Sequence, residues 1–147
     1  MWEYSHSIDI NATPKTIWDI WTDVENWKNW DKDIVWSKLN GPFREGVKGQ
    51  LKPKNGPKAS FKIITAIENK KFIDHASLPL AKLIFSHEIK EKKEKSNLVT
   101  LTHTIQIKGL LTFLFSKVIG RNLAKGLPDA MLQLKKQAES QSKSNQK

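Results

Sequence analysis

Three imidazoles stand on the apolar side of alternating runs. His6 lies among Trp2, Tyr4, Ile8 and Ile10, His87 between Phe85 and Ile89, and His103 between Leu101 and Ile105. A histidine facing an apolar hollow can hydrogen-bond a ligand and set its orientation, or it can polarise a carbonyl and move a proton. The first is the simpler reading, because the chain has no cysteine and no adjacent nucleophile and orienting acid mark a triad. Reach argues against a shared metal. Zinc–nitrogen bonds are about 2.0–2.1 Å, whereas adjacent strands lie about 4.8 Å apart. No Asp or Glu is read on the same inner face, so neither a metal nor a cofactor is expected. His87 and His103 remain the candidates for acid/base work.

The elements that must position these rings follow from periodicity. Leu83, Phe85, His87 and Ile89 alternate with Ile84, Ser86, Glu88 and Lys90, and Val99, Leu101, His103, Ile105 and Ile107 alternate with mostly polar residues. Two such runs around a short charged segment predict an antiparallel hairpin, with Glu94-Lys95-Ser96 as its turn. Pairing residues whose numbers sum to 190 sets His87 opposite His103, Phe85 opposite Ile105 and Ile89 opposite Leu101. A slip of one residue would send the whole apolar set to solvent, so only even sums survive, and neighbouring even sums would set the two histidines diagonally.

Elsewhere, Trp2 to Asn11 alternates as a first strand. Thr13 and Pro14 then offer an N-cap and a first helical residue for a short helix to about Thr22, and Asp23 to Trp30 reads as a second helical piece capped by Asp23. Turn signals at Asn40-Gly41-Pro42, Glu45-Gly46, Pro53 to Pro57 and Asn69-Lys70 separate further strands. Among these, Phe61, Ile63, Thr65 and Ile67 form an inner face. The facing of 33–39 and 72–78 is not decided by pattern. After Gly109 the period turns helical, with Phe115, Ile119, Leu123, Leu127, Met131, Leu134 and Ala138 on one stripe, and Pro128 predicts a kink or break near Gly126-Leu127. Residues 1–139 read as one domain and 140–147 as a disordered polar tail.

Composition narrows the partners. The net charge is +10, yet only Arg44 and Arg121 of the 25 basic residues are arginine, and no nucleic-acid module is recognisable. A nearly all-lysine complement favours a solvated surface over base reading, with weak contact to an anionic surface as a further use. The most apolar window, Leu110 to Gly120, is short of the about 20 residues a spanning helix needs, so no stable membrane insertion is expected. With no cysteine framework and no secretory signal at the N-terminus, a cytoplasmic protein is the expectation. Nothing in the sequence specifies an oligomeric state.

The order of strand, two short helices, about six antiparallel strands and a long C-terminal helix resembles the START-related helix-grip superfamily (SRPBCC), and within it the polyketide cyclase/dehydrase and lipid-transport group. Ile10 to Trp18, Asp23 to Trp30, Phe85-Ser86-His87-Glu88, Thr100-Leu101-Thr102-His103 and the helix from Gly109 to Leu134 carry the likeness. The resemblance implies an α+β helix-grip fold, a curved sheet of about seven strands wrapped around the final helix, with a cavity that accepts apolar or amphipathic small molecules. It transfers no fixed catalytic set. On this reading Phe61, Ile63, Phe85, Leu101, Ile105, Leu123 and Leu127 form the walls, and His6, His87 and His103 supply polar contacts. Trp36 and Met131 are further ligand-binding candidates. A lipid- or polyketide-like ligand is expected, and a cyclase or dehydratase using the histidines is the alternative.

Overall fold

The structure, a computed structural model, describes residues 1–92 and 97–145. The expected hairpin turn at Glu94-Lys95-Ser96 therefore lies outside the described residues. Seven antiparallel strands form one curved sheet: β1 (Trp2–Ile10), β2 (Ile34–Leu39), β3 (Lys48–Pro53), β4 (Ala59–Ile67), β5 (Lys71–Leu78), β6 (Ala81–Glu91) and β7 (Val99–Gly109). Their spatial order is β1-β7-β6-β5-β4-β3-β2, so the first strand closes beside the last.

Helix α1 (Pro14–Thr22) starts where the sequence places it. Thr13 is extended and its hydroxyl accepts the Thr16 amide, with Pro14 in the first turn. The second piece is a 3₁₀ turn, Val24–Asn29, and Asp23 does not cap its backbone; its carboxylate accepts the Asn26 side-chain amide at 2.8 Å instead. The chain after β7 forms α2 (Thr112–Phe115), a π turn (Ser116–Gly120) and α3 (Arg121–Asn145). The expected break near Gly126-Leu127 is not found. Pro128 lies inside α3, and the departure from α geometry comes earlier, at Ser116–Gly120, where Gly120 seats against the indole of Trp2. The helix also runs past Ser140, where the polar composition suggested a disordered tail.

α3 crosses the concave side of the sheet and is tied to the far end of β1. The Asn11 amide donates to Glu139 Oε2 at 2.9 Å, and Lys135 Nζ donates to the Asp9 carbonyl at 2.9 Å. Two apolar clusters fill the interior. One gathers α1, the 3₁₀ turn and the later part of α3 around Trp21, Phe72, Leu101, Met131 and Leu134, and the other gathers Leu83, Ile105 and Ile107 with Trp2, Phe85, Phe115, Ile119 and Leu123. Leu127 packs against both.

Two bulges correct the strand facings. A register shift between Ile63 and Thr65 ends the inner face at Ile63, leaving Ile67 43% exposed. Another, between Ile34 and Trp36, buries Ser37, whose hydroxyl donates to the Val24 carbonyl, and sets Trp36 beside exposed Lys38.

Candidate functional site

Among the even sums that the sequence allows, the hairpin takes 190. His87 pairs with His103, Phe85 with Ile105 and Ile89 with Leu101, and on the other side of β7 His6 pairs with His103. Three imidazoles therefore form one band across β1, β7 and β6. The rings of His87 and His103 meet edge-on, with centroids 4.6 Å apart.

α1 and β5 supply the walls of this pair. Phe72 on β5 is the register partner of His87 and stacks on it at 3.8 Å, while Trp21 lies 5.7 Å from His87 and 5.9 Å from His103. Trp30 stands 6.2 Å from His103. Such an apolar enclosure stabilises the neutral imidazole. Burial pushes His87 down to about 3, opposed in part by its contact with the Phe72 carbonyl. Burial likewise holds His103 well below the usual histidine range, helped by the neighbouring His87 and His6.

A carbonyl can only accept, so the 3.2 Å contact between His87 Nδ1 and the Phe72 oxygen puts the proton of the neutral ring on Nδ1. Nε2 of His87 is left as an acceptor. His103 is 3% exposed, and its Nε2 is buried without a hydrogen-bond partner. The indole nitrogens of Trp21 and Trp30, in the rings around it, are also buried and unpartnered.

A cavity of about 100 Å³ opens above the pair. Phe85, His87, His103 and Ile105 form its floor, Leu123, Gly126, Leu127 and Ala130 of α3 its roof, and Asp31 and Asp33 its rim. Gly126 lets the helix approach that rim, since a Cβ there would stand 2.7 Å from Asp33 Oδ2. Asp31 is half-buried; burial, then the charges of Asp33 and Asp129, raise its carboxyl to about 6 although it accepts the Asp33 amide.

Six of the residues expected at the site thus line the cavity: Phe85, His87, His103, Ile105, Leu123 and Leu127. Phe61, Ile63, Leu101 and Met131 are buried but belong to the surrounding core. His6 continues the imidazole band without reaching the cavity wall. Trp36 does not join the site, because the β2 bulge turns it to the Lys38 side.

Other groups were not read from the sequence. Asp31 and Asp33 sit in an aperiodic loop. Asp74 sits on the concave face, opposite Phe85 and Ile63, so an acid does share the inner surface, contrary to expectation. It is 6% exposed, and burial alone pushes its carboxyl up to about 8. Among the described residues no group of three His, Cys, Asp or Glu side chains could hold a metal ion.

The family described as polyketide cyclase / dehydrase and lipid transport matches residues 1–139. The chain belongs to that family. Solved structures share the fold of this family member at low identity. A START superfamily protein from Mycobacterium smegmatis is 14% identical over 97% of both chains, with a TM-score of 0.67. The protein XoxI from Bacillus cereus is 16% identical over 94% of this chain and 96% of its own, with a TM-score of 0.69. The di-domain ARO/CYC BexL of the BE-7585A biosynthetic pathway is 14% identical, with a TM-score of 0.72; the match covers 95% of this chain and 47% of BexL. At these identities the likeness is one of fold. No curated protein matches the chain.

Proposed function

We propose that this family member binds a small apolar or amphipathic molecule between the sheet and α3, with an oxygen-bearing group of the ligand seated over His87 and His103. The observation that carries this reading is the buried, unpartnered Nε2 of His103, a residue that lines the cavity beside Phe85, Ile105, Leu123 and Leu127. Leaving a buried polar atom unpaired costs about 1–3 kcal/mol, which a ligand group could recover. A hydroxyl suits the pair: it can donate to His87 Nε2 and accept from His103. The walls are apolar, so they select the rest of the ligand by shape.

Size limits what fits. A cavity of about 100 Å³ holds a fragment, whereas drug-sized ligands occupy about 300–1,000 Å³. A lipid- or polyketide-like ligand therefore requires α3 to give way at Leu123 and Leu127. Native mass spectrometry of freshly purified protein, repeated with a panel of lipids and aromatic polyketides, tests the reading. A retained species is expected for the wild type and not for His103→Leu; a chain that retains nothing from its host or the panel contradicts it.

Asp74 favours a second reading, catalysis of cyclase or dehydratase type. Its carboxyl, pushed up to about 8, is a proton donor at neutral pH, and its register position opposite Phe85 is diagonal to His87, which holds a free lone pair. A general acid works best when its pKa lies near the operating pH, which suits Asp74, while the neutral His87 can only accept a hydrogen bond from the substrate. With the ligand recovered by mass spectrometry as substrate, His87→Ala or Asp74→Asn then abolishes turnover while changing affinity little. Equal loss of both points back to binding.

A further inference from the structure

We infer that the end of the molecule built from the β5–β6 turn, α2 and the π turn is a docking surface for an anionic lipid bilayer. Large apolar side chains are presented to solvent there: Leu80 is 67% exposed, Leu110 85%, Phe113 73% and Val118 59%. They form one patch, because the Leu111 amide donates to the Leu80 carbonyl and α2 follows directly. Leu80 also adopts φ +53°, a conformation that glycine or asparagine takes with less strain. A strained, exposed leucine at the tip of a two-residue turn has no packing purpose.

Charge decides the occupant. Between Asn97 and Pro128 there is no Asp or Glu, while Lys108, Lys117, Arg121 and Lys125 fall in that stretch and Lys82 follows the turn. These cations are exposed, and Lys117 lies 4.0 Å over the Phe113 ring. The acid facing this end is Glu3, which is opposite Gln106 and already accepts its amide. Apolar side chains ringed by lysine and arginine match a bilayer interface, where acyl chains lie beneath anionic headgroups. A second copy of the same face would bring like charges together. No described helix is long and apolar enough to cross a membrane, so the contact lies at the surface. This inference does not depend on what occupies the cavity.

The chain has no cysteine, so Val118→Cys gives a single labelling site, and Glu91→Cys gives another at the opposite end of β6, about 33 Å along the strand from Ala81 beside the patch. With an environment-sensitive dye, vesicles of phosphatidylcholine and phosphatidylglycerol should blue-shift the Val118 label and leave the Glu91 label unchanged. Pure phosphatidylcholine should bind more weakly. Phe113→Ser with Leu114→Ser should weaken co-sedimentation by at least about tenfold, and Lys117→Gln with Arg121→Gln by about tenfold or more. All four side chains are exposed, and unchanged far-UV circular dichroism and melting temperature show that the variants fold. Absence of co-sedimentation, equal shifts of both labels, or a solution dimer abolished by Phe113→Ser would each overturn the inference; the last would give the face to a second copy.

Discussion

The pH dependence of stability tests the assignment of Asp74 as a buried neutral acid. Burial pushes its carboxyl up to about 8 in the folded protein, against an ordinary value of 3.8. A raised carboxyl binds its proton more tightly when folded. Its contribution to stability is therefore complete below the unfolded value and disappears as pH rises to the folded one. From pH 6 to pH 9 the folded value lies two pH units above the starting point, at about 1.36 kcal/mol per unit. Asp74 should therefore remove about 2.7 kcal/mol over that range. The shifts of His87, His103 and Asp31 also contribute, but they are common to the wild type and to Asp74→Asn and cancel in the difference between them. The assay is urea unfolding followed by tryptophan fluorescence, which six tryptophans make sensitive. Stability falls from pH 6 to pH 9 by about 2.7 kcal/mol more in the wild type than in Asp74→Asn, equivalent to about 5–11 °C in melting temperature. Parallel curves would refute the reasoning: Asp74 would then be ionised and paired when folded, and could not donate a proton near pH 7.

Two other perturbations test the site. The imidazole signals of His87 and His103 in NMR spectra keep neutral shifts from pH 8 to pH 5, because burial lowers both; a titration near 6.5 in either contradicts the enclosure. With the folded value below the unfolded one, the stability that these rings contribute is present above pH 6.5 and is lost on acidification towards 3 for His87. The glycines of the last elements should differ in tolerance. Gly109 has φ +117° and a Cβ there would stand 2.6 Å from the Leu80 carbonyl, so Gly109→Ala costs about 1–3 kcal/mol in urea unfolding. Gly126 would meet only the exposed Asp33 carboxylate, which can rotate, so Gly126→Ala should be neutral or stabilising by up to about 1 kcal/mol.

Periodicity carries information only where a strand is regular, and the site reflects this. β6 and β7 alternate without interruption along their paired length, so the shared face of His87 and His103 was legible from residues alone, while the choice of 190 among neighbouring even sums needed the structure. β2 and β4 each contain a bulge, which turns every residue beyond it to the other face. Ile67 was placed on the inner face for that reason, and the facing of Trp36, undecided by pattern, is set by the β2 bulge. In β5 the inward set Phe72, Asp74 and Ala76 includes an acid, while outward Ile73 is apolar, so the pattern hides the facing. Asp31 and Asp33 have no periodicity to betray them. Pro128 predicts a kink or break because a proline removes one backbone bond; α3 is not broken there and its surrounding turns remain helical.

That proline matters for how the cavity could enlarge. α3 divides near Ala130. Beyond it, Met131, Leu134 and Ala138 are fully buried, and the backbone of Asp9 and Asn11 holds Lys135 and Glu139. Before it, no residue from Arg121 to Asp129 is fully buried, and the segment begins at a π turn. Pro128 has no amide to bond the Ala124 carbonyl, so the ladder is weakest where the cavity roof joins the pinned half. Admitting a ligand larger than about 100 Å³ should displace Leu123 and Leu127 while Met131 to Ala138 stays in place. Amide hydrogen exchange reads this directly: residues 121–127 should exchange much faster than 131–138 in the free protein, and ligand should slow the first segment alone. Equal protection of the two segments would mean that α3 moves as one body or not at all.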